Sequence, residues 1–496
     1  MDVIVVGAGS AGSVVARRLV DAGALVTLIE AGGADTNPAI HDPSRAGELW
    51  HGPEDWDYYT VPQEHAANRR LHLPRGKVLG GSHSLNAMIW VRGAPRDYDD
   101  WGLPGWAWQD VRPVFERIES ELLEIARNEP LHPIQQSIVE AAVQTGVPYN
   151  PDYHGDRLDG VSVQQVTLRD KRRLNTWLAY ADPVTDRMTV HTGATVHRVL
   201  FDGTRAVGVA VEIGGRVERL SADHVVLAAG ALASPAILLR SGVGPADDLA
   251  ALGIDVVADL PGVGENLHDH LLSPVIFATD HREVAPPSPG RSVTQTHLFW
   301  RSRPGLAVPD TQPIHFSVPM YESWMTGPDT GFSLMAGMVS PESRGSLRLS
   351  GPEPDDEPLI DLAALAEPAD FESLVASVEQ CREIGRAPAL AEWGARELYP
   401  GPARDIRDYV RQTAITYHHQ VGTCRMGTDA LAVVDPGLAV HGLSGLHVAD
   451  ASVLPRVTTG NTNAPAVLVG ERAAQFIVDG RERGEATNSS PPARPR

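Results

Sequence analysis

Cysteine is almost missing from this chain of 496 residues, which holds only Cys381 and Cys424. Two thiols allow at most one internal bridge, so no disulfide framework holds the fold, as suits a reducing compartment. Both are read as buried free thiols. Lysine is equally scarce, with Lys77 and Lys171 alone, and this is taken as compositional bias. Positive charge is in deficit overall: 42 Lys and Arg face 63 Asp and Glu, a formal net charge of −21. The basic footprint that nucleic acid or an anionic membrane surface needs is therefore absent. No apolar run reaches the roughly 20 residues of a membrane span. The longest, Val225 to Leu239, is interrupted by Gly230, Ser234 and Pro235. The first strand begins at Asp2 with no charged n-region, apolar h-region or cleavage site before it, so a cytoplasmic location is expected. There is no Cys-x-x-Cys pair, and His268 and His270 flank Asp269 without further ligands at useful spacing, so no metal site is expected. A Gly-x-Ser-x-Gly elbow is also missing, which leaves no hydrolase case.

What is present begins at once. The apolar run Val3 to Val6 leads into Gly7-Ala8-Gly9-Ser10-Ala11-Gly12, and a helical pattern follows through Val14, Val15, Leu19 and Val20. Strand, glycine turn and helix in this order form a dinucleotide-binding fingerprint. Gly7 permits the tight turn, Gly9 lets a pyrophosphate approach bare backbone, and Gly12 lets helix and strand pack closely. Ser10 and Ala11 belong to the same phosphate-facing turn. A second apolar strand, Leu25 to Ile29, ends at Glu30, eighteen positions after Gly12. That is close to the roughly 20 expected of the acid that binds the adenosine ribose, and Ala31 is grouped with it.

With 496 residues there is room for about three domains. Ala31 to Leu73 reads as connecting loop. Pro74-Arg75-Gly76-Lys77-Val78-Leu79-Gly80-Gly81-Ser82-His83-Ser84-Leu85-Asn86-Ala87 is a second glycine turn, expected to enter a helix and to present N–H groups to an anion. Helices are expected from Gln109 through Glu119 and from Ile134 to Gln144, and a hairpin over Thr189 to Phe201 and Ala206 to Ile213. From Ser273 to Val421 the texture changes to strands at Gln312 to Met320, Phe332 to Val339 and Ser346 to Leu349, then a helix from Asp370 to Ile384. Arg481 to Arg496 is polar and proline-rich, and a disordered tail is expected there.

Three stretches carry a specific resemblance. Gly76 to Ser82 with Asn86 resembles the first signature of the glucose-methanol-choline (GMC) flavoprotein oxidoreductases. Gly230-Ala231-Leu232-Ala233-Ser234-Pro235 through Gly244 is similar to their second signature at every defined position. Leu260-Pro261-Gly262-Val263-Gly264-Glu265-Asn266-Leu267-His268-Asp269-His270 resembles its continuation. The resemblance spans Met1 to about Gly480, with its clearest gaps between Glu119 and Gln164.

It implies a mixed α/β fold: a Rossmann-like FAD-binding domain beside a substrate-binding domain built on an antiparallel sheet covered by helices. The expected division is 1–100, 186–272 and 422–480 for FAD, 101–185 for a cap and connecting segments, and 273–421 for substrate. The implied FAD contacts are Gly7, Gly9, Ser10, Ala11, Gly12, Glu30, Ala31, Gly81, Ser82, Asn86, Ala87, Val196, Gly230, Asp450, Ala451, Ala464 and Pro465. Leu85 stands where some relatives carry a histidine bonded to the flavin, so FAD is expected to be non-covalent. His83 is read as structural or phosphate-proximal.

Counting back from Val421-Gly422-Thr423-Cys424, the family's catalytic histidine position is His419. His418 is assigned to the substrate pocket, and the partner position, His or Asn in relatives, is assigned to Asn463. Alcohol oxidation needs these types: the hydroxyl proton must leave as hydride moves from carbon to flavin N5, and a neutral imidazole suits the proton. The implied partners are a small-molecule alcohol and an electron acceptor, either O2 or a quinone, cytochrome or other carrier. Two rival readings stand beside this one, a hydroxynitrile lyase-like enzyme of the same fold and a flavoprotein that passes electrons to another redox protein.

Overall fold

Val3, Ile4, Val5 and Val6 are all buried, as an unbroken apolar run demands of a strand covered on both faces of a parallel sheet. The strand they form, Asp2–Val6, is the centre of a five-stranded sheet in the computed structural model, which describes residues 1–155 and 157–488, the last eight by backbone alone. The strand order is Leu446–Val448, His224–Leu227, Asp2–Val6, Leu25–Ile29, Thr189–His191, and every pairing is parallel. Strands from three distant parts of the chain thus make one nucleotide-type sheet. The helix Ser10–Asp21 buries Val14, Val15 and Leu19 and packs along the terminal helix Asn463–Asn488. A separate antiparallel meander, Ala194–Asp202, Arg205–Ile213 and Arg216–Ser221, stands beside this sheet.

The second sheet is antiparallel and has seven strands. Its order is Ala395–Tyr399, Leu271–Thr279, Phe332–Met338, Ile314–Phe316, Thr294–Phe299, Gly160–Val163, with Ile415–Thr416 pairing the start of Leu271–Thr279. The helix Pro368–Gly385 covers it, and Ser377 Oγ accepts the amide of Gly337 at 3.0 Å. Both sheets deliver their strand ends to one central cavity.

Several expectations meet a different local outcome. The stretch Thr189 to Phe201 divides, because Gly193 turns at φ +61° and sends Thr189–His191 to the parallel sheet and Ala194–Asp202 to the meander. The second glycine turn enters one turn of 3-10 helix, Gly81–Ser84, and no α-helix. There the side chain of Asn86 accepts the amide of Met88, whose φ is +61°, and the chain turns away. Gly160–Val163, from the segment assigned to a cap, is an edge strand of the second sheet. The expected boundary at 273 falls inside Leu271–Thr279. The terminal helix runs past Arg481 to Asn488, and residues 489–496 of the expected tail lie outside the described residues. Among the described residues no helix is long and apolar enough to cross a membrane.

Buried imidazoles are unusually many. Burial pulls His83, His270, His297, His315, His418 and His447 down to about 3, and His154 and His224 to about 4. Unfolding puts these rings in water, where they bind protons below about pH 6.5. The unfolded chain then holds more protons than the folded one, so stability is present above pH 6.5 and is lost as pH falls toward 3 to 4. Burial acts oppositely on the carboxyls of Glu30 and Asp269, pushed up to about 7, and Asp97, pushed up to about 6. Asp450 and Glu322 are raised in the same way, and His132, His268 and His419 are lowered like the eight rings above, so among the described residues five carboxyls favour the folded state at low pH against eleven imidazoles that oppose it. The melting temperature should therefore fall steadily from pH 7 to pH 4 in a calorimetric series at constant ionic strength. A flat or rising profile would show that these rings are not kept neutral by the fold.

Candidate active site

The nucleotide end of the cavity is built from backbone that side chains would block. A Cβ on Gly12 would sit 1.9 Å from the carbonyl oxygen of Gly7. One on Gly7, at φ +99°, would lie 2.5 Å from the carbonyl oxygen of Ala228. One on Gly81 would come within 2.8 Å of the Cα of Gly9, so the two glycine turns touch. Around them opens a cavity of about 1060 Å³. Its wall includes Gly7, Gly9, Ser10, Ala11, Glu30, Ala31, Gly81, Ser82, Asn86, Ala87, Val196, Gly230, Asp450 and Ala451.

Three of the expected contacts are not on that wall. Gly12 acts one layer behind it, as the close contact of helix and turn. Ala464 and Pro465 are buried within the first turn of the terminal helix, whose cavity side is Asn463 and Ala466.

Two carboxylates organise this end. Glu30 accepts the amide of Ala8 at Oε2 and that of Gly32 at Oε1, both at 2.9 Å. Burial raises it to about 7, while those amides and Lys77 pull it back. Its remaining lone pairs face the cavity, where ribose hydroxyls could donate. Asp450 accepts from the Gly230 amide at 2.8 Å, the Ser234 hydroxyl at 2.6 Å and the Ser452 amide at 2.8 Å, and so joins the two strand-to-helix turns.

At the other end the second sheet presents two histidines in sequence. His418 takes φ +66°, and this turn puts its ring and that of His419 in different surroundings. The His418 ring lies 2.7 Å from the Thr416 hydroxyl through Nδ1 and edge-on to Trp50, with centroids 5.2 Å apart. Arg75 donates to the His418 carbonyl at 2.6 Å. His419 has its amide bonded to Asp269 at 2.8 Å, its Nδ1 3.0 Å from His270 Nδ1, and its Nε2 3.2 Å from Asn461 Nδ2. Both histidines are on the cavity wall. Burial, then His270, His418 and Arg75, hold His419 well below the usual imidazole range. It is neutral near pH 7 and free to accept a proton.

The orientation of Asn461 is set from behind. Gln312 Nε2 donates to Asn461 Oδ1 at 3.0 Å, so the NH2 group must face Nε2 of His419. That bond makes Nε2 an acceptor and places the ring proton on Nδ1, toward His270.

The structure does not bring Asn463, the expected partner, to His419. Asn463 opens the terminal helix, where its Oδ1 accepts the Ser10 hydroxyl at 2.6 Å and its Nδ2 lies 3.3 Å from both His83 ring nitrogens. It ties two helices together at the phosphate turn, while Asn461, in the irregular segment before the helix, reaches His419. The sequence run Gly460-Asn461-Thr462-Asn463 offers two amides, and only the helix start separates them. Asp269, His270 and Gln312 were also missed; for the first two, the Leu267-His268-Asp269-His270 run was the available signal. His83 is fully buried among Thr167, Thr176 and Asn463 and is not on the cavity wall.

A dinucleotide cradle that opens, inside one cavity, onto a neutral buried histidine and an oriented amide defines an oxidoreductase that works with a bound dinucleotide cofactor. Comparison with known proteins makes this particular. Models of the GMC oxidoreductases match residues 1–272 and 341–470. An alcohol dehydrogenase [acceptor] of Pseudomonas putida is 36% identical over 96% of this chain and 95% of its own length. An oxygen-dependent choline dehydrogenase of Sinorhizobium fredii is 34% identical over 100% and 98%. The crystal structure of pyridoxine 4-oxidase from Mesorbium loti superposes with a TM-score of 0.90 at 34% identity, over 96% of this chain and 98% of that one. The chain belongs to the GMC oxidoreductases.

The cradle gives a direct test. In Gly12→Ala the new methyl meets backbone that cannot swing aside, and overpacking of this kind costs about 1 to 3 kcal/mol or more. Urea unfolding should show a clear loss of stability for Gly12→Ala and little for Gly33→Ala, where a Cβ meets nothing within 4 Å. Equal stability of the two variants would contradict the close contact at Gly7.

Proposed function

We propose that this oxidoreductase holds FAD without a covalent link and oxidises a small-molecule alcohol at its CH–OH carbon, with His419 as general base and Asn461 as hydrogen-bond partner of the substrate oxygen. One observation carries the reading: His419 Nε2 and Asn461 Nδ2, 3.2 Å apart, stand on the wall of the cavity whose other end is the glycine cradle. The relatives named for alcohol, choline and pyridoxine support an alcohol donor. The cradle fits FAD, since Glu30 suits a ribose and bare backbone at Gly9 and Gly81 suits a pyrophosphate. Bound FAD supplies a two-electron acceptor that takes hydride at N5.

The chain's own residues do the rest. A substrate hydroxyl that takes the place of the Asn461 N–H at Nε2 gives its proton to the neutral ring, and Asp269, bonded to the His419 amide, anchors the backbone that carries that ring. Asn461 has a second N–H to offer the substrate oxygen. Tyr417, stacked on His419 with centroids 4.5 Å apart, and the aliphatic Ile89, Leu272, Ile314 and Met335 keep this end of the cavity apolar, which strengthens every polar contact in it. Non-covalent attachment is supported by Leu85, a cavity residue with no nucleophile, and by His83 being held off the wall. The terminal acceptor is O2 or a quinone, cytochrome or other carrier.

Anaerobic stopped-flow reduction of the flavin, with a substrate found in a screen of primary, aromatic and sugar alcohols, tests the assignment. Removal of a general base costs about 10² to 10⁴ in rate, or about 2.7 to 5.4 kcal/mol at 1.36 per decade. His419→Ala should lose that much, and Asn461→Ala less, because a neutral hydrogen bond is worth less than a proton acceptor. Asn463→Ala should keep its reduction rate per bound flavin and lose stability. Near-normal reduction in His419→Ala would overturn the base assignment. The attachment is tested separately: acid precipitation should leave the yellow cofactor in the supernatant, and colour retained in the pellet would contradict it.

A further inference from the structure

At the rim of the cavity, three side chains from two separated segments converge on one point. Asp57 Oδ1 lies 2.7 Å from His51 Nδ1 and 2.9 Å from His72 Nε2. The two imidazoles stack at 4.1 Å with an interplanar angle of 23°. One ligand atom from each residue can be chosen so that all three lie within 4.8 Å of one another. The contact between His72 and Asp57 is close but lacks hydrogen-bond alignment, and the same buried Nε2 lies 3.4 Å from Asp55 Oδ2. A buried imidazole nitrogen that faces two carboxylates and a second imidazole is an arrangement that a cation would satisfy.

The cluster is also built, which a chance meeting of surface residues is not. His51 takes φ +59° and Asp57 φ +53°, left-handed conformations that cost side-chain-bearing residues free energy unless the surroundings fix them. The surroundings here are the buried carboxylate of Asp55. It accepts the amides of His51 at 3.1 Å, Asp57 at 3.0 Å and Arg75 at 2.8 Å. One buried anion therefore holds both strained residues in place and ties them to the second glycine turn. His72 comes from the short ladder Tyr58–Tyr59 with His72–Leu73, which sets its ring across the loop from His51.

We propose that His51, Asp57 and His72 form a binding site for one borderline divalent transition cation, Zn2+ being the reference case. Two imidazoles and one carboxylate are nitrogen and oxygen donors that such ions prefer, whereas Ca2+ and Mg2+ want oxygen shells. Ligand bonds of about 2.0 to 2.2 Å need only small ring movements from the observed separations. Three protein ligands leave a fourth position to water, and the exposure of His51 and Asp57 leaves room for it. The spacing of the ligands in sequence, six residues and then fifteen, matches no short metal motif. The pairing of Tyr58–Tyr59 with His72–Leu73 brings them together.

A bound ion would act on the cavity through its neighbours. Trp50 is edge-on to the His418 ring, with centroids 5.2 Å apart, and 6.3 Å from the His72 ring, while Asp57, Tyr58 and Tyr59 line the cavity. The ion would fasten residues 50–59 to strand His72–Leu73 and stiffen the wall beside His418.

The test is calorimetric titration of Zn2+ into chelator-treated, cofactor-loaded protein in a non-coordinating buffer. One ion per chain is expected. His51→Ala and Asp57→Asn should each weaken binding by more than the roughly 10- to 100-fold that loss of an outer-shell partner costs. Asn tolerates the left-handed backbone at 57, and His51 is exposed, so both variants should keep the fold; unchanged melting temperatures without metal verify this. His65→Ala, an exposed histidine elsewhere, should bind as the parent does. Absence of stoichiometric binding in the parent, or parent-like affinity in both variants with intact melting temperatures, would overturn the site.

Discussion

Backbone must meet backbone where Gly81 faces Gly9, and much of the architecture answers to that contact. The first turn follows the central strand of the parallel sheet, while the second turn belongs to the loop that carries Arg75 and reaches toward the antiparallel sheet. With a Cβ on Gly81 only 2.8 Å from the Gly9 Cα, any side chain there would push the two turns apart and open the cavity between the sheets. Asp55 extends the same constraint outward. By holding the Arg75 amide it fixes the start of the second turn, and Arg75 in turn donates to the His418 carbonyl. A line of hydrogen bonds thus runs from the rim loop through Arg75 to the residue before the proposed base.

Electrostatically the interior is arranged to be neutral around the proposed base. His419, His270 and His418 are all held far below their ordinary range, chiefly by burial. A ring so depressed is a weak base at rest, which keeps it unprotonated and ready at neutral pH. Asp269 is a carboxylate bonded to the His419 amide. It meets the His419 backbone and the Gln420 side chain, and it faces Arg75, so its charge is already partnered. It locates the ring without saturating it with a proton.

Sequence reasoning reached the parts of this molecule whose signals are local. The strand, glycine turn and acid from Val3 to Glu30 name their own geometry, because each glycine is demanded by a contact within the unit or one strand away. The register of the Val421 to Cys424 run against the family motif pointed to His419, whose ring lines the cavity. What stayed hidden depends on where elements begin and meet. Asn461 and Asn463 are chemically identical and both line the cavity, and the start of the terminal helix between them decides which side chain reaches His419. The helix expected after Gly81 fails because Asn86 captures the Met88 amide, a competition between side chain and backbone that propensity does not resolve. Gly160–Val163 joins a sheet whose other strands lie more than a hundred residues later, and no periodicity announces that partner. The cluster at His51, Asp57 and His72 has the same origin.

Asparagine at 461 is better suited to its place than the isosteric acid would be. The amide both accepts from Gln312 and donates to His419 Nε2, so two oriented bonds hold the ring in the tautomer whose Nε2 carries no proton. Aspartate could still accept from Gln312 but could give nothing to Nε2. Its negative charge beside the ring would favour the imidazolium, since an opposite charge within about 4 to 6 Å stabilises the charged form. A protonated ring cannot take a proton from an alcohol. The neutral amide therefore serves two ends, orienting the acceptor atom and leaving it unprotonated, and Gln312, bonded to the amide oxygen, determines which way that amide points.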